Sequence, residues 1–263
     1  LAQFLAQSAG DVYLLVFDPA PRMKTFLTAT WRNLLNLSYA VPDELLLPHL
    51  PKGLELDRYQ GQAHVSLVAF DFLQTRVRGI KVPFHVNFPE VNLRFYVHYN
   101  GQRGVVFIRE FVPKHCIALI ANRVYNEPYL AFPMESAATP AADGSLDIVH
   151  QIWKDKDTLQ LAVQVSGPEV VPGPDTAAHF FKEHDLGFGR DKRGETLVYG
   201  VEHPLWATRD VAITELSLDF GKFYGPEWAV LNDRRPDHAL YCAGSPIKVF
   251  RAQKLHELPA KEG

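Results

Sequence analysis

Asn87-Phe-Pro-Glu-Val-Asn-Leu-Arg-Phe-Tyr-Val-His-Tyr99 alternates from Glu90 onward. Glu90, Asn92, Arg94, Tyr96 and His98 hold one parity, and Val91, Leu93, Phe95, Val97 and Tyr99 hold the other. Side chains on a strand point to opposite faces with period two, so this stretch predicts a strand with one apolar face and one face of polar or amphipathic groups. A solvent-facing strand usually carries Lys, Thr and Glu; a Glu-Asn-Arg-Tyr-His row predicts the lining of a polar cavity. Asn100-Gly101 follows, two residues that tolerate positive φ, and then Gly104-Val-Val-Phe-Ile-Arg-Glu-Phe-Val-Pro113. The two arms read as a hairpin. Arg109 and Glu110 fall on opposite faces of the second arm, so at most one of them joins the row.

Working outward, residues 30–41 alternate with Arg32, Asn36 and Ser38 on one parity and predict another strand. Pro42 opens a short helix with Leu45, Leu46 and Leu50 as its buried stripe, and Pro51-Lys-Gly53 stops it. Residues 54–59 and 63–72 read as a hairpin turning at Gln60-Gly61. Residues 114–126 place Ile117, Ile120, Ala121 and Val124 at helical spacing, with Asn122 and Tyr125 on a face that a helix at the barrel mouth would turn toward the site. Strands are predicted over 129–135, 146–153, 159–166, 196–202, 207–218, 239–242 and 247–253. Residues 167–174 form a proline-rich loop, Asp175 is the expected cap of a helix over 176–184, and a short helix is expected near Pro226. Strand-rich segments on both sides of 167–174 favour one sheet system. The fold class is therefore β-rich α+β, a single antiparallel β-barrel with a few peripheral helices, since closure removes exposed edges. The barrel domain is expected over 23–263. Residues 1–22 read as an N-terminal extension ahead of Met23-Lys-Thr-Phe-Leu-Thr, or else as a genuine N-terminal strand.

Composition narrows the function classes. The chain has 263 residues, 47% apolar and 22% charged, with a net charge of −3. That balance gives no electrostatic reason to expect nucleic acid or an anionic membrane as partner, and no stretch approaches the ~20 apolar residues of a membrane span. Cys116 and Cys242 can pair, but two lone thiols fit a reducing cytoplasm better, so a cytoplasmic location is expected. The eleven histidines include no His-x-x-x-His pair, and no metal site is expected. Gly-rich phosphate loops and Gly-x-Ser-x-Gly are lacking, so neither a cofactor nor a serine nucleophile is expected.

Several blocks together carry a family resemblance: Phe26-Leu-Thr-Ala-Thr-Trp-Arg-Asn33, Leu50-Pro-Lys-Gly-Leu-Glu-Leu-Asp57, Val65-Ser-Leu-Val-Ala-Phe70, the 87–113 hairpin, Glu202-His-Pro-Leu-Trp206 and Gly244-Ser-Pro-Ile-Lys-Val249. They resemble the YqjF-like family, domain of unknown function 2071, from about residue 23 to 255. That family is similar in turn to acetoacetate decarboxylase, which implies a cone-shaped antiparallel β-barrel around a buried site. Carried across, the decarboxylase's site arginine falls on Arg32, one acidic residue on Glu90 and another site glutamate on Ser66. Its lysine pair after a proline falls on Tyr129 and Leu130 after Pro128. Neither can form the imine on which a Schiff-base decarboxylase depends, so acetoacetate decarboxylation is not expected. Lys114 is the nearest displaced lysine and reads as an exposed residue at a helix start.

The expected ligand site comprises Arg32, Ser66, Glu90, Asn92, Arg94 and Tyr129. Arg32, Glu90 and Arg94 are expected to share one enclosed cavity, with the arginines clamping an anion and Glu90 as acid/base or orienting group. The alternative is a buried Arg–Glu network that merely fills the barrel. The leading expectation is a barrel that binds a small anionic or carbonyl metabolite. Against it stands an enzyme of non-imine chemistry (hydration, enolisation or hydrolysis) on an oxo- or hydroxy-acid, with Arg32 and Glu90 as its catalytic residues. A third reading is partner binding or homo-oligomerisation through Phe180-Phe181 and Phe220-Gly-Lys-Phe-Tyr224.

Overall fold

The computed structural model describes residues 24–124 and 126–255. The expected N-terminal extension over 1–22 and Tyr125 lie outside the described residues. In chain order the elements are β1 (Thr25–Ala40), α1 (Asp43–Leu46), β2 (Glu55–Leu56), β3 (His64–Val77), β4 (Phe88–Tyr99), β5 (Gln102–Val112), α2 (His115–Val124), β6 (Tyr129–Ala131), β7 (Met134–Pro140), β8 (Leu146–Lys154), β9 (Asp157–Val170), α3 (Ala177–Lys182), β10 (Leu186–Arg190), β11 (Thr196–Glu202), β12 (Thr208–Ser217), α4 (Phe220–Tyr224), β13 (His238–Cys242) and β14 (Pro246–Phe250).

Seven of these strands close a barrel in the order β1-β3-β4-β5-β10-β11-β14, with β14 returning to β1. Its pairings are antiparallel apart from β5 with β10, which is parallel. The β4–β5 hairpin turns as its sequence requires, with φ of 47° at Asn100 and 73° at Gly101, the primed-turn geometry that matches strand twist. The expected hairpin over 54–72 does not form. An isolated Tyr59–Gln62 bridge closes the turn, but β2 pairs with Val97 and His98 of β4, whose edge β3 leaves open there.

A second antiparallel sheet, β12-β9-β8-β7, is joined to the barrel through β13, which pairs with the later half of β1. It covers the outer face of the barrel wall. Leu35 and Leu37 of β1, Leu67 of β3, and Val91, Leu93 and Phe95 of β4 share one core with Ile148 and Ile152 of β8 and Leu161 of β9. All are fully buried, each worth about 1.5–3 kcal/mol relative to exposure. The even positions of β4 face the other way, into the barrel, where Phe70, Phe72, Phe88, Tyr96 and Val105 form a second cluster. Both faces of β4 are therefore interior.

One local feature changes the expected site. Asn33 has φ 55°, and the β1–β3 register advances three residues from Arg32 to Leu35 against two from Asp71 to Ala69. This bulge inserts one residue and flips the parity of everything before it. Leu34, Asn36 and Ser38 point into the barrel; Arg32, on the far side of the bulge, does not. The helix over 176–184 is shorter than expected, and its cap is Thr176, whose hydroxyl accepts from the His179 amide, rather than Asp175. Phe180, Phe181, Phe220, Phe223 and Tyr224 are all buried, so the surface for self-association read from them is a set of core contacts.

Candidate functional site

The barrel encloses a cavity of about 160 Å³. Its buried end is walled by Glu90, Asn92 and Arg94 of β4, Glu110 of β5, Glu127 in the loop before β6, Tyr129 of β6, Tyr199 of β11, Lys182 at the end of α3 and His184 just after it. Toward solvent it is walled by Trp31, Phe72, Val82, His85, Phe88, Ile117, His203 and Trp206. Tyr96 lies beyond the buried end and packs on Phe180 and Phe181, with ring centroids 5.5 and 5.3 Å away. The barrel is thus filled below this level and hollow above it.

The alternation of β4 delivers Glu90, Asn92 and Arg94 to one wall. Glu90 accepts from the Asn92 amide at 2.9 Å and from the Tyr129 hydroxyl at 3.0 Å. Burial raises its carboxyl to about 7; the two hydrogen bonds and the Arg94 charge pull the other way. Glu110 is the inward member of the Arg109–Glu110 pair, because Arg109 donates outward to the Phe223 carbonyl at 2.7 Å. Burial and then the neighbouring Glu127 and Glu90 hold Glu110 well above the usual carboxylate range. Glu127 is pushed up to about 8 by burial, partly offset by a hydrogen bond from Tyr199. Tyr199 lies where it does because position 187 is glycine: a Cβ there would stand 2.2 Å from the Tyr199 ring.

Tyr129 is held at its backbone by Asn122 of α2, whose side chain donates to the Tyr129 carbonyl at 3.2 Å and accepts from its amide at 3.0 Å. The helix therefore serves the site by fixing β6. Lys182 is fully buried and ion-paired with Glu183. His184 keeps a neutral ring, since burial and then the nearby Arg103 and Arg94 charges lower its pKa well below the ordinary value.

Two expected ligand residues stand elsewhere. Arg32 is exposed and borders a separate surface depression with Tyr241 and Gly244, as the bulge at Asn33 dictates. Ser66 faces the barrel interior but lies behind Tyr96, hydrogen-bonded to the Tyr96 and Ser38 hydroxyls. There it belongs to a packed polar network with Asn36, which donates to the Phe181 carbonyl at 3.0 Å. Leu130 is 40% exposed on the far side of β6 from Tyr129. Lys114 donates to the Phe84 carbonyl and does not wall the cavity. Glu127, Lys182 and His184 were not among the expected site residues. They come from a loop and a helix end, where the sequence has no period to read; the only local hint is a lysine directly after the buried Phe180-Phe181 pair.

The family DUF2071, described as an uncharacterized conserved protein (COG2071), matches residues 28–246. YqjF of Bacillus subtilis (strain 168) is 33% identical over 129 residues, covering 49% of this chain and 52% of that one, so the chain spans about half the length of this relative. Among solved structures, the enduracididine biosynthesis enzyme MppR complexed with pyruvate superposes with a TM-score of 0.62 at 12% identity, over 90% of this chain and 93% of its own. An acetoacetate decarboxylase-like enzyme from Sphingomonas wittichii RW1 gives 0.60 at 12% identity, over 88% and 94%. Acetoacetate decarboxylase from Legionella pneumophila gives 0.59 at 13%, over 96% and 98%. At such identities the likeness establishes the fold. Among the described residues no helix is long and apolar enough to cross a membrane.

Proposed function

Given that the chain belongs to the DUF2071 family and has the acetoacetate decarboxylase-like fold, we propose that its barrel cavity binds a small carbonyl-bearing metabolite without forming a Schiff base. One observation carries the reading: a hollow space remains above Tyr96, and its buried end is lined with oriented polar groups. Arg94 supports the carbonyl. It is half-buried, its Nε has no partner, and its terminal nitrogen makes only a 3.4 Å contact to the Phe181 carbonyl. With one long hydrogen bond among five N–H donors, its guanidinium has donors to spare for a carbonyl oxygen in the cavity. Of the two ligand chemistries expected from sequence, an anion is the poorer match, because Arg32 is outside and three carboxyl groups share the wall.

The imine route is opposed by side-chain identity. On the resemblance, the lysine pair falls on Tyr129 and Leu130, and the Lys182 ammonium at the cavity is bound by Glu183, whereas an imine needs a free amine. Thermal unfolding in the presence of aromatic and aliphatic ketones, aldehydes and oxo-acids tests the proposal. A saturating ligand should raise the midpoint, since binding to the folded state alone stabilises it; a panel without a single shift rejects the reading.

A second reading, acid/base chemistry on such a carbonyl compound, is favoured by Glu90. A carboxyl standing at about 7 matches a proton donor and acceptor at neutral pH. Arg94 takes the orienting role expected of Arg32. Once a turnover is found, Glu90→Gln should abolish it while leaving ligand binding in place.

A further inference from the structure

Resting on the cavity reading above, we infer that the ligand carries a protonated nitrogen which docks on the glutamate side of the buried end, with a single apolar ring extending toward the mouth. The count of unsatisfied atoms points this way. Glu110 Oε2, Glu127 Oε1 and Asn92 Oδ1 are buried and have no donor, and all three residues wall the same cavity. Asn92 is 1% exposed, and its amide nitrogen is committed to Glu90, so its oxygen is fixed as an acceptor that lacks a donor. The neutral ring of His184, also without a partner on either nitrogen, adds one acceptor and one N–H donor. On the donor side Arg94 Nε stands alone among the charged groups, because Lys182 is taken by Glu183.

Charge follows the same direction. Glu90, Glu110 and Glu127 face Arg94 as the one unpaired cation of the cavity wall among the described residues. Tyr129 and Tyr199 contribute hydroxyl donors but no charge. Buried carboxylates short of cations either hold protons or recruit a cation. An ammonium brings two or three N–H donors and the missing charge together. A metal ion is the rival cation, but among the described residues no three His, Cys, Asp or Glu side chains are placed to hold one.

The body of the ligand is set by the walls. Trp31, Phe72, Phe88 and Trp206 line the path from this end to solvent, which suits a ring. An apolar cavity of about 150 Å³ accepts one benzene-sized ring, close to the volume found here. Binding such a cation strips protons from the carboxyls, so affinity must rise with pH across their titration range, whereas a neutral ligand gains nothing from their ionisation.

Benzylamine, benzyl alcohol, benzoate and acetophenone present one ring with cationic, neutral, anionic and carbonyl heads. Their affinities for the whole wild-type chain, measured by calorimetry at pH 6 and pH 8, test the inference without a variant. Benzylamine should bind tighter than benzyl alcohol by about tenfold at pH 8, and it should tighten from pH 6 to pH 8. Glu127→Gln should reduce that preference for the cationic head. Acetophenone binding with benzylamine no tighter than benzyl alcohol, or a benzylamine affinity that falls with pH, overturns the inference and leaves the carbonyl reading standing. Failure of all four rings to bind overturns the inference, and the carbonyl reading then stands or falls on the wider ketone, aldehyde and oxo-acid panel.

Discussion

Glu90 is stabilised by two neutral donors, and among the described residues it has no ion-pair partner. Its titration therefore depends on who donates to it. Tyr129→Phe removes the 3.0 Å hydrogen bond to Oε2, an interaction that favours the ionised form, so the carboxyl should move up from about 7. Carboxyl-carbon NMR across a pH titration reads this directly; a titration point that stays or drops would show that Tyr129 does not support the charge. The wall residues Glu90, Asn92 and Arg94 were legible in the sequence because a strand repeats every two residues. Glu127 and His184 were not, because they reach the cavity from segments without a period. Arg32 was misplaced for a different reason: its parity is correct on an unbroken strand, and a single inserted residue at Asn33 is invisible to pattern reading when asparagine also fits a regular strand edge.

At the scale of elements, β4 was the most readable because alternation and the Asn100-Gly101 turn agree. The outer sheet was partly readable: β8, β9 and β12 fall near their expected spans. Their separation from the barrel was not, since strand spacing says nothing about which partner a strand chooses. The pattern that predicts a lined cavity leaves unsaid what covers the opposite face, and here that cover is a second sheet rather than helices alone. The junction carries a definite energy. Leu93 is fully buried between the wall and the outer sheet, so Leu93→Ala should cost about 2–5 kcal/mol, measured as a lower denaturant midpoint at unchanged slope. A cost below about 1 kcal/mol would mean that the outer sheet is loosely packed on the barrel.

For the whole molecule, the buried titratable groups set opposing pH dependences. Glu90 and Glu127 stand at about 7 and about 8 against an ordinary 4.5. The native state therefore keeps protons that the unfolded chain releases. Their contribution is complete below pH 4.5 and is lost as pH rises through 7 and 8. His150, buried between the sheets, is held at about 4 against an ordinary 6.5 by burial, and it acts in the opposite sense: its contribution is complete above 6.5 and is lost as pH falls toward 4. Above pH 6.5 the carboxyls act without this counterweight. Stability should then fall between pH 6.5 and 8, by up to ~1.4 kcal/mol per pH unit for each proton retained. Glu127→Gln should flatten the slope in chemical denaturation; an equal slope in the variant would exclude Glu127 as its source. The double-sided burial of β4 reaches further than energetics. A strand dividing two interiors puts the cavity lining on its even residues and cohesion on its odd ones, so the two can drift separately. Exchanging positions 90, 92 and 94 alters the cavity wall and spares the core, so a combinatorial library confined to those three sites should yield folded proteins far more often than one confined to 91, 93 and 95.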